Sequence, residues 1–122
     1  ISKDESRTWS NPEPLFDGRM HPNLNLLANG DIVMTVVVRH VLQNGQRVSY
    51  RKGCEAIISH DNGLTWDLSH KYILDEWQFN DSILPGHGQT GHLSSTVLDD
   101  GSILTLHNNY LSMAMTLIRW RP

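Results

Sequence analysis

An all-β fold is what the sequence predicts, on three observations. Short runs rich in β-branched and aliphatic residues, at 32–38, 56–58 and 103–106, are punctuated by Asn-Gly and Asp-Gly turn signals. No stretch carries apolar residues at helical spacing. Two turn-bearing sequences each occur twice, which makes the chain an internal repeat.

Taken in order, Ser2-Lys3-Asp4-Glu5-Ser6-Arg7-Thr8-Trp9 opens the chain as a turn. Residues 10–17, rich in Pro, Asn and Glu, read as loop or edge strand. Leu24 and Leu26 then alternate with Asn in a first strand, and Ala28-Asn29-Gly30-Asp31 supplies a hairpin. The run 32–38 is nearly continuous in β-branched residues, which predicts a strand buried on both faces. A loop near Gln43-Asn44-Gly45-Gln46 returns the chain through 48–58. Ser59-His60-Asp61-Asn62-Gly63-Leu64-Thr65-Trp66 follows, a tight turn whose Asp, Asn and Gly tolerate left-handed backbone. A more polar outer strand is expected at 66–73 and a long loop over 75–91. Strands at 95–98, 103–106 and 113–120 complete the chain, the first two joined by Asp99-Asp100-Gly101-Ser102.

Composition sets the outer limits. The 122 residues make one domain, and 39% apolar content with four Trp suits a globular protein. A formal charge of -3 gives no basic footprint, so no nucleic-acid partner is expected. No apolar run approaches a membrane span or a signal-peptide core, so no membrane partner is expected either. The lone Cys54 forms no internal disulfide and reads as a buried strand cysteine, which leaves the compartment open. Ile1 need not be a natural start.

The repeat gives the architecture. Ser2 to Trp9 recurs as Ser59 to Trp66, and Leu27-Ala28-Asn29-Gly30-Asp31-Ile32 recurs as Leu98-Asp99-Asp100-Gly101-Ser102-Ile103, farther apart because the long loop before Gly91 intervenes. Both belong to one unit of about sixty residues with four strands, the size and content of a propeller blade. The expected organisation is a single unit over 1–122. Residues 1–20 are an outer strand completing another blade, 21–80 a complete blade, and 81–122 the first three strands of the next. About two blades cannot close a ring. Either the chain is a piece of a longer propeller or copies assemble in trans, a homotrimer giving six blades.

The pattern Ser-x-Asp-x-Gly-x-Thr-Trp resembles the Asp-box (BNR repeat) of the sialidase-like β-propellers, with Ser6 in place of glycine in the first copy. Ser2, Asp4, Thr8, Trp9 and Ser59, Asp61, Gly63, Thr65, Trp66 are therefore expected to be structural, their oxygens satisfying turn N–H groups and their Trp packing under the turn. The resemblance implies a six-bladed propeller with substrate at one mouth of the central channel. Carried onto this sequence, that mouth collects Arg19, His21, Arg39 and His40 from one blade, and Gln89, His92, His107, Asn108 and Tyr110 from the other. Arg39 ends an apolar strand where a charge is otherwise unwelcome. It either binds an acidic group, as sialidase arginines bind a carboxylate, or simply reaches solvent at the strand end.

The catalytic set of the family transfers only in part. Sialidases use a tyrosine nucleophile, usually helped by a glutamate, with a separate aspartate as acid/base. The family's Tyr-Ser-Ser approach stands here as Leu93-Ser94-Ser95 after His92, one glutamate position falls near Asn108, and another reads His21-Pro22. Tyr50 and Tyr110 lie outside the matching motif. Catalytic residues are thus unassigned, with Asp75, Glu76 and Asp81 as candidates for acid or base. No cofactor is expected, and no metal, because the spacings of His21, His87, His92 and His107 match no compact ligand motif. The functional expectation is a sialidase-like glycoside hydrolase or carbohydrate-binding propeller, with Arg39, His21, His92, Tyr110 and Asn108 contacting glycan. The competing expectation is a non-catalytic propeller scaffold or an inactive part of a longer protein.

Overall fold

The computed structural model describes residues 2–39, 41–44, 46–49, 51–79, 92–109 and 114–122. Strand formation follows the β-branched runs. Strands β1 (Arg19–Leu26), β2 (Ile32–Val38), β5 (Arg51–Ser59) and β6 (Tyr72–Gln78) form one antiparallel sheet in the order β1-β2-β5-β6. The short strands β3 (Val41–Gln43) and β4 (Gln46–Ser49) pair as a hairpin between β2 and β5, turning through Asn44 at φ 51°. Strands β7 (Leu93–Val97), β8 (Ile103–Asn109) and β9 (Ala114–Trp120) form a second antiparallel sheet in that order. No helix occurs among the described residues. The all-β expectation holds, as two antiparallel sheets.

The first sheet is buried on both faces at its centre, which is why β2 reads as an unbroken apolar run. On one face Val33, Ala56 and Ile58 pack with Ile103, Val97 and Trp120 of the second sheet. On the other face Met34, Val36 and Ile57 pack with Phe16 and Trp66. β1 lies beside β7, where the Ser95 N–H donates to Asn23 Oδ1 at 3.2 Å. The seam between the sheets also holds hydroxyls: Ser95 Oγ stands 2.8 Å from Thr35 Oγ1 and 2.9 Å from Thr105 Oγ1.

Both turns close in the same way. Asp61 Oδ1 accepts from the Thr65 N–H at 2.8 Å and Oδ2 from the Thr65 hydroxyl at 2.6 Å, while Ser59 Oγ accepts from the Gly63 N–H at 2.8 Å. Asp4 makes the same bonds to Thr8 at 2.8 and 2.6 Å, and Ser2 Oγ accepts from the Ser6 N–H at 2.8 Å. Ser6 takes φ 69° where Gly63 takes φ 82°. The tryptophans differ. Trp66 is tucked against Met34, Val36 and Ile57, whereas Trp9, with no sheet beneath it, is 69% exposed.

Two strand boundaries depart from expectation. The outer strand begins at Tyr72, not Trp66, because Asp67 folds the intervening residues into a side-chain-capped turn, accepting from the Ser69 and His70 N–H groups at 3.1 and 3.2 Å. Asp75 to Gln78 are strand rather than the start of a loop, held by pairing with β5. Residues 9–16 lie in none of the described strands, which is the loop of the loop-or-edge-strand reading. One glycine is demanded by packing: Gly53 sits at φ 150°, and a Cβ there would lie 2.1 Å from the Asp75 carbonyl oxygen. That approach accompanies the irregularity between Cys54 and Glu55 in the β5–β6 ladder.

Candidate functional site

The two turns sit at one end of the sheets, and Arg19, His21, Arg39, Arg51, Lys52 and Asp75 lie toward the other. At that second end, β1 is bulged between Met20 and Asn23. Pro22 has no N–H to give the ladder, and His21 adopts φ 52°. His92 immediately precedes β7. Because β1 and β7 are neighbours, the two imidazoles meet edge to face with ring centroids 5.4 Å apart. His21 is half-buried and His92 exposed.

Arg39 follows the last residue of β2. Its N–H donates to Gly18 O at 2.9 Å, and Nη1 lies 3.1 Å from Met20 Sδ, beside His21. Its carbonyl accepts from Lys52 Nζ at 2.6 Å, which gives that fully buried ammonium a partner at the end of β2.

A second polar group lies on the opposite face of β5. Glu55 is fully buried and binds Arg19 Nε and Arg51 Nη1, the latter at 3.1 Å, while Arg51 also binds Glu76. Burial pushes the Glu55 carboxyl up, but the bonds from Arg19 and Arg51 outweigh it and hold the carboxyl below its usual value. For Arg51 burial acts to lower the pKa, and the bonds from Glu76 and Glu55 raise it overall. The Arg19 guanidinium also stands 5.3 Å from the centre of the Phe16 ring.

A third group lies in the seam. Asp75 Oδ1 accepts from the Glu76 N–H at 2.9 Å and Oδ2 from Asn109 Nδ2 at 3.3 Å. His107 is fully buried, stacked on Trp77 with ring centroids 6.3 Å apart, and its Nε2 is 3.2 Å from Asp75 Oδ2. That distance is within ion-pair reach but off hydrogen-bonding geometry, so neither ring nitrogen makes a hydrogen bond among the described residues. Cys54, the cross-strand partner of Asp75, is inert: burial, then Asp75 and Glu55, pushes its thiol up to about 12.

Of the residues singled out from sequence, His21 and His92 touch, and Arg39 reaches the residue before His21. Asn108 is paired with Met115 on the face of the second sheet turned away from the first. His40, Tyr50, Asp81, His87, Gln89 and Tyr110 lie outside the described residues. Sequence reading missed the pairing of Arg19, Arg51 and Glu55. Its signal was present, since Arg51 and Glu55 are an even number of residues apart and so share a strand face. Among the described residues no three metal-ligating side chains converge. A groove of about 1060 Å³ runs between the two turns, lined by Lys3, Thr8, Trp9, Glu13, Leu15 and Trp66, at the end away from His21 and His92.

Chemically, the second end offers two imidazoles that donate to and accept from hydroxyls, a guanidinium beside them, and an oriented carboxylate in Asp75. Comparison with known protein families, with curated proteins and with solved structures finds no match to this chain.

Proposed function

We propose that the chain is a portion of a sialidase-like β-propeller that binds glycan at the end of its sheets opposite the Ser/Asp/Thr turns. The observation that carries this reading is the contact between His21, near the start of β1, and His92, just before β7, with ring centroids 5.4 Å apart at repeat-equivalent positions. Two imidazoles at the start of adjacent strands, with the Arg39 guanidinium reaching Met20, suit a ligand that carries several hydroxyls and an acidic group. Hydrolysis, if the chain performs it, draws its acid or base from the carboxylates nearby, of which Asp75 is the one oriented by Glu76 and Asn109.

A second reading, a scaffold without catalysis, has its own support. Glu55 and Glu76 neutralise Arg19 and Arg51, so those two cations serve the fold rather than a ligand. Fluorogenic sialosides and neutral glycosides, assayed on wild type beside Arg39→Ala and His21→Ala, separate the readings. Turnover or binding that falls at least tenfold in the variants supports the glycan site. No turnover and no sugar binding by wild type leaves the scaffold.

A further inference from the structure

Asn62 is an amide followed by a glycine, in a turn held by its neighbours rather than by Asn62 itself. Its side chain is exposed and makes no hydrogen bond among the described residues, and its backbone sits at φ 59°. Around it, Ser59 Oγ accepts from the Gly63 N–H at 2.8 Å, and Asp61 accepts from the Thr65 N–H and hydroxyl. A free amide beside a glycine nitrogen is a reactive pair, because glycine has no Cβ to keep that nitrogen away from the neighbouring side-chain carbonyl. Asparagine is thermolabile for this reason.

Asn29 supplies the comparison. It too precedes a glycine in an exposed turn, but its Oδ1 accepts from the Asp31 N–H at 3.1 Å and its Nδ2 donates to Asp31 Oδ2 at 2.8 Å. The Gly30 N–H donates to the Leu27 carbonyl at 3.0 Å. To react, Asn29 gives up two side-chain bonds and a backbone bond. Asn62 needs only the release of the Gly63 N–H from one serine hydroxyl.

We propose that Asn62 is a modification site, at which the chain deamidates at a rate set by Ser59. The Gly63 nitrogen gives up its proton and attacks Asn62 Cγ. A C–N bond forms, the Cγ–Nδ2 bond breaks, and the amide nitrogen leaves as ammonia, giving a five-membered succinimide. Water then opens the ring at either carbonyl, leaving aspartate or isoaspartate at position 62, with nothing oxidised or reduced. While Ser59 Oγ holds the Gly63 N–H, that nitrogen is not free to attack, so conversion waits on local opening of the turn.

The product changes the turn. Isoaspartate carries the main chain through its side-chain carbons and adds one backbone atom inside the loop that the Ser59–Gly63 and Asp61–Thr65 bonds span. Trp66 ends that loop packed with Met34, Val36 and Ile57, and its seat is what the longer loop disturbs. The Ser2–Trp9 copy has Glu5-Ser6 at the matching places and carries no amide there, so only one of two equivalent turns ages. None of this depends on whether a glycan binds.

Mass spectrometry on tryptic peptides of the full chain, kept folded in warm, mildly alkaline buffer, tests the inference. Asn62 is the only side-chain amide in peptide 53–71, and Asn29 lies in peptide 20–39. Peptide 53–71 is expected to gain the amide-to-acid mass shift, with isoaspartate in the product, before peptide 20–39 does. Ser59→Ala is expected to convert about fivefold faster, the factor that one hydrogen bond contributes to an opening equilibrium. Peptide 20–39 converting first overturns the inference. So does a peptide 53–71 that stays unchanged in the folded chain while the guanidinium-unfolded chain converts, or a folded Ser59→Ala that keeps the wild-type rate. If Ser59→Ala unfolds, the order of the two wild-type peptides alone decides.

Discussion

Thr35 Oγ1 and Ser95 Oγ stand 2.8 Å apart in the buried seam between the sheets, although 60 residues separate them in the chain. Ser95 Oγ continues to Thr105 Oγ1 at 2.9 Å, and that hydroxyl accepts from Trp120 Nε1 at 3.0 Å. Apolar contacts alone permit the sheets to slide. A file of directional bonds is satisfied in one alignment only, and burial makes each of them costly to leave unmade.

Ser95→Ala is therefore expected to destabilise the chain by about 1 kcal/mol, because it takes one hydrogen-bond partner from each of two buried hydroxyls, which keep Asn23 O and Trp120 Nε1. Adding Thr35→Val is expected to cost less than the two single changes together, with a coupling of about 0.5–3 kcal/mol in a double-mutant cycle. Urea unfolding checks both. Strict additivity would show that the two hydroxyls do not act on one another.

Gly53→Ala is expected to be among the most damaging single substitutions. The new Cβ meets the Asp75 carbonyl at 2.1 Å, and the backbone must leave φ 150° or push β6 away. A loss above about 3 kcal/mol follows from backbone strain and broken pairing. Gly101→Ala, at φ 78° with nothing within 4 Å of the added carbon, is expected to cost only about 1 kcal/mol. Thermal melts of the two variants side by side distinguish contact from φ alone.

Acid is expected to reach the Ser59–Trp66 turn late. Thr65, through its hydroxyl and N–H, and then Ser59 hold the Asp61 carboxyl down at about 2, below its ordinary 3.8. A depressed folded-state value means that the carboxylate stabilises the fold fully above pH 3.8 and loses that contribution as pH falls through about 2. The stability gap between wild type and Asp61→Asn should be constant above pH 4.5, narrow between pH 3.8 and 2, and vanish below. Carboxyl NMR titration of Asp61 reads the same midpoint directly, and a midpoint near 3.8 would refute the role given to Thr65.

Much of this fold was legible because burial writes itself into composition. The β-branched residues of β2 announce a strand covered on both faces, and the Asn29-Gly30 and Asp100-Gly101 pairs announce the hairpins. The offset of β6 was hidden, since only the Asp67 side chain decides whether residues 67–71 extend or turn. The buried Lys52 and Glu55 were also hidden. A charge inside a strand reads as surface until its partner is known, and those partners are Arg39 O on another strand's end and Arg19 far along the chain. For the candidate site, His21 and His92 were findable from the repeat, but the seating of His107 against Asp75 depends on how two sheets stack, which no local pattern encodes.

Ser6 shows which atoms of the turn are indispensable. It holds left-handed backbone at φ 69° without a glycine's freedom, while Asp4 and Thr8 keep every bond that Asp61 and Thr65 make. What the bonding of this turn requires is the carboxylate and the hydroxyls, and a serine takes the left-handed position that glycine takes in the other copy. A pattern that insists on glycine therefore finds one copy of the turn in this chain, whereas one keyed to Ser, Asp and Thr at the same spacing finds both.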